Sequence, residues 1–202
     1  MAEPRLTHAR SELILGGQKS GKSRRAELLA RDWLAQAPGH RALLIATAQP
    51  WDEEMRQRIA RHQVDRAARV PGMTTLEEPL ALAEAITQHS RPDTLLVVDC
   101  LTLWLTNWLM PMQPENDMPY MEKQPLARIN KGGAAMLLEA ISAAPGPVVL
   151  VGNEIGLGVI PMGSEVRAFV DALGRLNQDV AAVCQRVTLM AAGLPLTLKE
   201  AP

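Results

Sequence analysis

The sequence predicts an α/β fold, a mostly parallel sheet flanked by helices with an antiparallel strand at one edge. Three observations predict it. Short apolar runs alternate with longer segments of helical periodicity, the pattern of strand–helix–strand units. The runs "RALLIAT" (41–47), "TLLVVDC" (94–100) and "GPVVLVGN" (146–153) show no polar alternation, as expected of strands covered on both faces. The chain closes on "RVTLMAAGLPLTLK" (186–199), which reads as two strands around a turn at Gly193–Leu194.

The remaining elements follow in order. "ELILGG" (12–17) is a strand running into a glycine loop, and "KSRRAELLARDWLAQA" (22–37) a helix with Ala26, Leu29, Ala30, Trp33 and Leu34 on one face. "WDEEMRQRIARHQVDR" (51–66) is an amphipathic helix, and "EEPLALAEAITQHS" (77–90) is expected to be another. "LTLWLTNWL" (101–109) is a short apolar helix. Four prolines make 111–125 an irregular surface insertion. Residues 127–144 return to helix. Residues 164–185 form a long helix with Val166, Phe169, Leu173, Leu176, Val180 and Val183 as its core stripe. One domain spanning 1–202 is expected, with 1–11 a flexible N-terminal extension.

Composition narrows the function classes. A net charge of −1 leaves no broad basic field for nucleic acid or an anionic membrane. A phosphate-bearing ligand must therefore be held locally. With aromatics at 3%, the core must be built from Leu, Val, Ile, Ala and Met. Cys100 and Cys184 lie in apolar runs without metal spacing and read as reduced core thiols. The polar N-terminus has no apolar signal region, and no apolar stretch is long enough for a membrane span, so a cytoplasmic protein is expected.

Five motifs carry candidate chemistry. Gly16, Gly17, Gln18, Lys19, Ser20, Gly21, Lys22 and Ser23 fit G-x-x-x-x-G-K-[ST] between a strand and a helix. Glycines let the backbone N–H groups cradle phosphate, Lys22 reaches the β and γ phosphates, and Ser23 ligates Mg²⁺. Asp99 ends an apolar strand, where its carboxylate can serve the metal or ligand; the bland alternative is a cap on the next helix. His62 shares a helical stripe with Trp51, Met55 and Ile59, among Arg58, Arg61 and Arg66. It is either a phosphorus nucleophile or a half-buried structural histidine, and the stripe places it against protein. Asn153 and Glu154 end a buried strand, where ligands sit in open α/β sheets. Arg167 and Asp171 are spaced as a surface ion pair worth about 0.3–0.5 kcal/mol.

These segments together resemble one family closely: the bifunctional adenosylcobinamide kinase/adenosylcobinamide-phosphate guanylyltransferases of cobalamin biosynthesis. The matching pieces are "LGGQKSGKSRRAE", "IATAQPWDEEMRQRIARHQVDR", "TTLEEP", "LLVVDCLTLWLTNWL" and "VLVGNEIGLGVIPMGSEVRAFVDALGRLNQDVA", in the family's order. The resemblance implies a RecA-like P-loop fold, usually a homotrimer, and two reactions. ATP or GTP phosphorylates adenosylcobinamide, and GTP then guanylylates that phosphate through a GMP–histidine. It implies that the histidine is His62. It implies further nucleotide contacts at Ala46, Thr47, Ala48, Gln63, Val64, Asp65, Arg66, Glu77 and Asp99, with metal at Ser23 and Asp99. Lys19 stands where the family commonly has Arg, and Met73 where it commonly has Trp. Two other readings use the same P-loop: a different small-molecule kinase, with no role for His62, and a non-catalytic nucleotide-binding regulator.

Overall fold

The computed structural model describes residues 9–50, 52–110 and 126–200. Seven strands form one sheet: β1 (Ser11–Gly16), β2 (Arg41–Ala46), β3 (Met73–Glu77), β4 (Thr94–Asp99), β5 (Val148–Val151), β6 (Arg186–Ala191) and β7 (Leu194–Glu200). Six helices intervene: α1 (Lys22–Leu34), α2 (Glu53–Arg69), α3 (Leu82–His89), α4 (Leu101–Leu109), α5 (Leu126–Ala143) and α6 (Ser164–Val183). The strand order is β3-β2-β4-β5-β1-β6-β7. Every neighbouring pair is parallel except β6–β7, the expected antiparallel edge.

Successive strand residues point to opposite faces, and that alternation divides the core in two. Leu13, Leu15, Leu96, Val98 and Leu150 pack with residues of α3, α4, α5 and α6. Ile14, Leu44, Leu95, Val97 and Val149 pack on the other face with Ala26, Leu29 and Ala30 of α1. Both faces are covered at the central strands β4 and β5, which is why residues 95–98 and Val148–Val151 run apolar without alternation. Cys100 and Cys184 are buried, and burial pushes their thiols up to about 11 and about 12.

Register brings functional candidates into one row. Ala46 pairs with both Glu77 and Asp99, and Asp99 pairs with Val151. Val151 pairs in turn with Ile14, two residues before the P-loop begins. The carboxyl ends of five strands therefore form one continuous ledge.

Some boundaries differ from expectation. The segment 77–90 is not one helix: Glu77 ends β3, and α3 begins only at Leu82. Thr74 and Thr75 favour a strand, and the Glu78 carboxylate accepts from the Leu80 and Ala81 amides, closing a turn before the helix. The closing hairpin turns at Ala192–Gly193, one residue earlier than expected, with φ of 50° and 81°. Two positive φ values match the twist of a tight hairpin. α2 runs on to Arg69; Asp52 caps its start by accepting from the Met55 amide at 2.7 Å. Trp51, most of the N-terminal extension and the insertion at 111–125 lie outside the described residues.

Candidate functional site

The P-loop wraps from β1 into α1 as the motif requires. Gly16 has φ 151°, and a Cβ there would sit 2.5 Å from the Met190 carbonyl oxygen. Gly21 has φ 102° and lies against Gly193, whose amide donates to the Ser20 carbonyl at 3.0 Å. The β6–β7 turn thus buttresses the loop from outside, a contact no local pattern reveals. Lys22 is buried, and its Nζ donates to the Gly17 carbonyl at 2.5 Å. Burial holds its pKa below the usual lysine value, against the pull of Asp99.

Asp99 ends β4 half-buried. The N-cap of α4 is Cys100, without a side-chain cap, so Asp99 does not perform the capping role. The Asp99–Cys100 peptide is cis. β5 lies between β4 and β1, and its end is anchored from several sides. The Asn153 amide donates to Thr102 Oγ1 at 2.9 Å, and its carbonyl accepts from Asn177 Nδ2 at 3.1 Å. The Glu154 amide donates to the Gly16 carbonyl at 3.1 Å. Asn153 and Glu154 therefore stand beside the P-loop, as their place after a buried strand predicts.

α2 presents Arg58, His62, Arg66 and Arg69 within one arc of its surface. The charge of Arg58 acts on Lys22, and those of Arg66 and Arg69 act on Glu27 of α1. This arc faces the P-loop and its helix. Contact is close only at the C-terminal end, where Arg69 pairs with buried Glu27, and Arg66 and Val70 are buried. His62 itself is exposed, whereas the apolar stripe predicts a position against protein. Met55 and Ile59 are only half-buried too. The face that carries Met55, Ile59 and His62 also carries these arginines, and it is covered towards its C-terminal end, at Arg66. His62, being exposed, is therefore not the half-buried residue that the structural reading expects.

Gln63, Val64, Asp65 and Glu77 are exposed, Ala46 and Ala48 half-buried, and Thr47 buried. The Thr47 hydroxyl donates to the Cys100 carbonyl at 2.7 Å and accepts from the Cys100 amide at 2.8 Å, tying the β2 and β4 ends together. α4 holds this flank. Asn107 Nδ2 donates to the Thr47 and Pro79 carbonyls at 2.8 and 3.0 Å. Trp104 and Trp108 both donate from Nε1 to the Leu80 carbonyl. The sequence reading missed this clamp; its one signal was the amide of Asn107 in a helix whose other residues are apolar or threonine.

Arg167 does not form the expected ion pair with Asp171. Its guanidinium donates to the carbonyls of Pro161 and Met162 at 3.0 and 2.5 Å. Carbonyls at the helix entrance, one turn away, outcompete a solvent-exposed carboxylate. Among the described residues no group of three or more His, Cys, Asp or Glu gathers as a metal cage, and no helix is long and apolar enough to cross a membrane.

Residues 12–198 match the family described as cobinamide kinase / cobinamide phosphate guanyltransferase. The chain is 46% identical over 191 residues to the bifunctional adenosylcobalamin biosynthesis protein CobP of Pseudomonas aeruginosa, covering 95% of this chain and 98% of that protein. It is 36% identical to the CobU protein of Salmonella typhimurium, covering 93% and 98%. Among solved structures, the flagellar accessory protein FlaH of Methanocaldococcus jannaschii aligns with a TM-score of 0.50 at 12% identity, covering 97% of this chain and 80% of that one. A Pyrococcus horikoshii protein aligns at 0.51 and 11%, covering 98% and 90%. At such low identity these likenesses show the fold alone, and that fold is RecA-like.

Proposed function

The chain belongs to the cobinamide kinase / cobinamide phosphate guanyltransferase family, and from that premise we propose that one ledge of strand ends performs both reactions, the second through a GMP adduct on His62. The observation that carries the histidine assignment is the exposure of His62 on the arc of α2 that faces the P-loop and carries Arg58 and Arg66. A nucleophile needs an open approach to phosphorus, and flanking guanidiniums offset the charge of the triphosphate it attacks.

In the kinase step the P-loop amides and Lys22 hold the β and γ phosphates of ATP or GTP. The aminopropanol hydroxyl of adenosylcobinamide attacks the γ-phosphorus, the bond to the β-phosphate oxygen breaks, and the hydroxyl proton passes to solvent. In the second step the His62 imidazole attacks the α-phosphorus of GTP and pyrophosphate leaves. The phosphate oxygen of adenosylcobinamide phosphate then attacks the same phosphorus, the P–N bond breaks, and adenosylcobinamide-GDP forms. Ala46, Thr47, Ala48, Glu77 and the stretch Gln63 to Arg66 line the nucleotide's route between α2 and the strand ends.

Ser23 and Asp99 are the oxygen donors that would hold Mg²⁺. A serine hydroxyl and one half-buried carboxylate beside a phosphate cradle suit an ion that keeps its waters and takes its other oxygens from substrate. Bound there, Mg²⁺ supplies charge neutralisation at the bridging phosphates. We also infer a homo-oligomer, a trimer by family resemblance. The exposure of Leu194, Leu196 and Leu198 on the edge strand β7 supports assembly.

The test is chemical. Protein incubated with α-labelled GTP and Mg²⁺ is expected to retain label after denaturation, stable in alkali and lost in acid. His62→Ala should abolish that label and guanylyl transfer while sparing most of the kinase rate. Acid-labile GMP on the His62→Ala protein would show that another residue is the nucleophile.

A further inference from the structure

The loop after β5, residues 155–162, reads "IGLGVIPM" and contains no charged residue. Its apolar side chains are turned outward: Leu157 is 82% exposed, Val159 96%, Ile160 78% and Met162 96%. The loop is nevertheless tethered at both ends. Glu154 Oε1 accepts from the Gly156 amide at 2.8 Å, and Arg167 holds the Pro161 and Met162 carbonyls. The apolar stripe of α6 continues onto this surface, for Val166 is half exposed while Leu173 and Leu176 are buried. An open pocket of about 420 Å³ separates the loop from the P-loop, walled by Gly17–Ser20 on one side and by Leu157, Leu189 and Met190 on the others.

We propose that this pocket and loop form the acceptor site, with the corrinoid macrocycle lying on Leu157, Val159 and Ile160 and its aminopropanol arm reaching over the lip of the P-loop. The inference rests on the cobinamide reading and adds where that substrate binds. Three features select the occupant. The acceptor hydroxyl must reach a phosphoryl group held by the P-loop, and Leu157 of this apolar surface lines a pocket with that loop. A corrin ring is bulky, edged by methyl groups and neutral amides, and it bears no phosphate before the first transfer. A chargeless apolar platform suits it, whereas a triphosphate requires cations. Cations are supplied by Lys22 and by α2, where the charge of Arg58 acts on Lys22; no α2 residue lines the pocket. Among the described residues, Lys19 and Glu154 are the only charged ones lining the pocket, both beside the P-loop, where the phosphate of the product would emerge.

The test uses the full chain and a Leu157→Asn/Val159→Asn double variant, whose altered side chains are exposed and do not support the core. The expected result is a KM for adenosylcobinamide raised about tenfold or more, the least that burying two such side chains against a ligand contributes. The KM for GTP, the GMP labelling and the sedimentation coefficient should be unchanged. An unaltered corrinoid KM in an active variant would overturn the proposal. A raised KM for GTP would give the pocket to a purine base, and a changed association state would give the loop to a second copy of the chain; either result overturns it. Wild-type protein that takes GMP label but converts no corrinoid would refute the cobinamide reading itself, and the acceptor site with it.

Discussion

The Lys22 ammonium is buried against the Gly17 carbonyl, and burial lowers its pKa. The consequence for pH has a definite sign. A lysine whose folded pKa lies below its unfolded value of 10.5 costs the fold stability while charged. The empty protein therefore gains stability as pH rises from the folded pKa towards 10.5, while a triphosphate needs the charged form. GTP affinity is expected to fall at alkaline pH earlier than an ordinary lysine predicts, and Lys22→Arg should flatten that limb; titration calorimetry across pH checks both. Asp99 makes a second case. Because Cys100 caps α4, Asp99→Asn should leave the melting temperature unchanged and depress both transfer rates. Full activity in that variant would end the assignment of Asp99 to metal or nucleotide. The P-loop and the place of Asp99 at a strand end were legible because their signals are local: a strand, a turn and a helix start within a dozen residues. The exposure of His62 was not, since periodicity reports which face a residue shares and not what stands opposite that face.

At the level of elements, α4 ties together the segments that follow β2 and β3. Its Asn107 holds two carbonyls from separate loops, and among the described residues Asn107 Oδ1 is buried without a hydrogen-bond partner. Asn107→Ala would leave both carbonyls unpaired, at a cost of about 1–3 kcal/mol. The expected readout is a melting temperature lower by roughly 2–4 °C per kcal/mol together with a raised KM for GTP. α2 depends on a different tie, the ion pair between Arg69 and Glu27. Glu27 is buried in α1, and burial raises its pKa against the pull of Arg69. Glu27→Gln should loosen α2 and slow GMP labelling more than phosphorylation, because the P-loop itself is untouched. Equal loss of both rates in a rapid-quench comparison would argue that the pair serves only the fold. Neither tie could be read from spacing: Asn107 and Thr47 are 60 residues apart, Glu27 and Arg69 42.

Across the whole molecule, the β6–β7 hairpin serves two surfaces. Inward, Gly193 supports the P-loop at Ser20. Outward, β7 leaves an unpaired edge with Leu194, Leu196 and Leu198 exposed. Such an edge invites pairing or cover. Sedimentation is expected to show a trimer, and Leu196→Lys to shift it towards smaller species; a wild-type monomer at micromolar concentration would remove the oligomer from the proposal.

The sequence by itself determined the parallel α/β architecture, the antiparallel edge, the phosphate cradle and the family. Each follows from local chemistry or from ordered motifs: apolar runs for doubly covered strands, glycines where φ must be positive, a lysine and serine at a helix start. Tertiary structure alone decided that 73–77 is a strand, because β2 is there to pair with it. It decided that His62 is exposed, that Arg167 turns to the loop before α6, and that three side chains of α4 grip the Thr47, Pro79 and Leu80 carbonyls. Those outcomes depend on partners brought together by the strand order, and the free energy of such contacts is set by what lies opposite in space, which sequence periodicity does not encode.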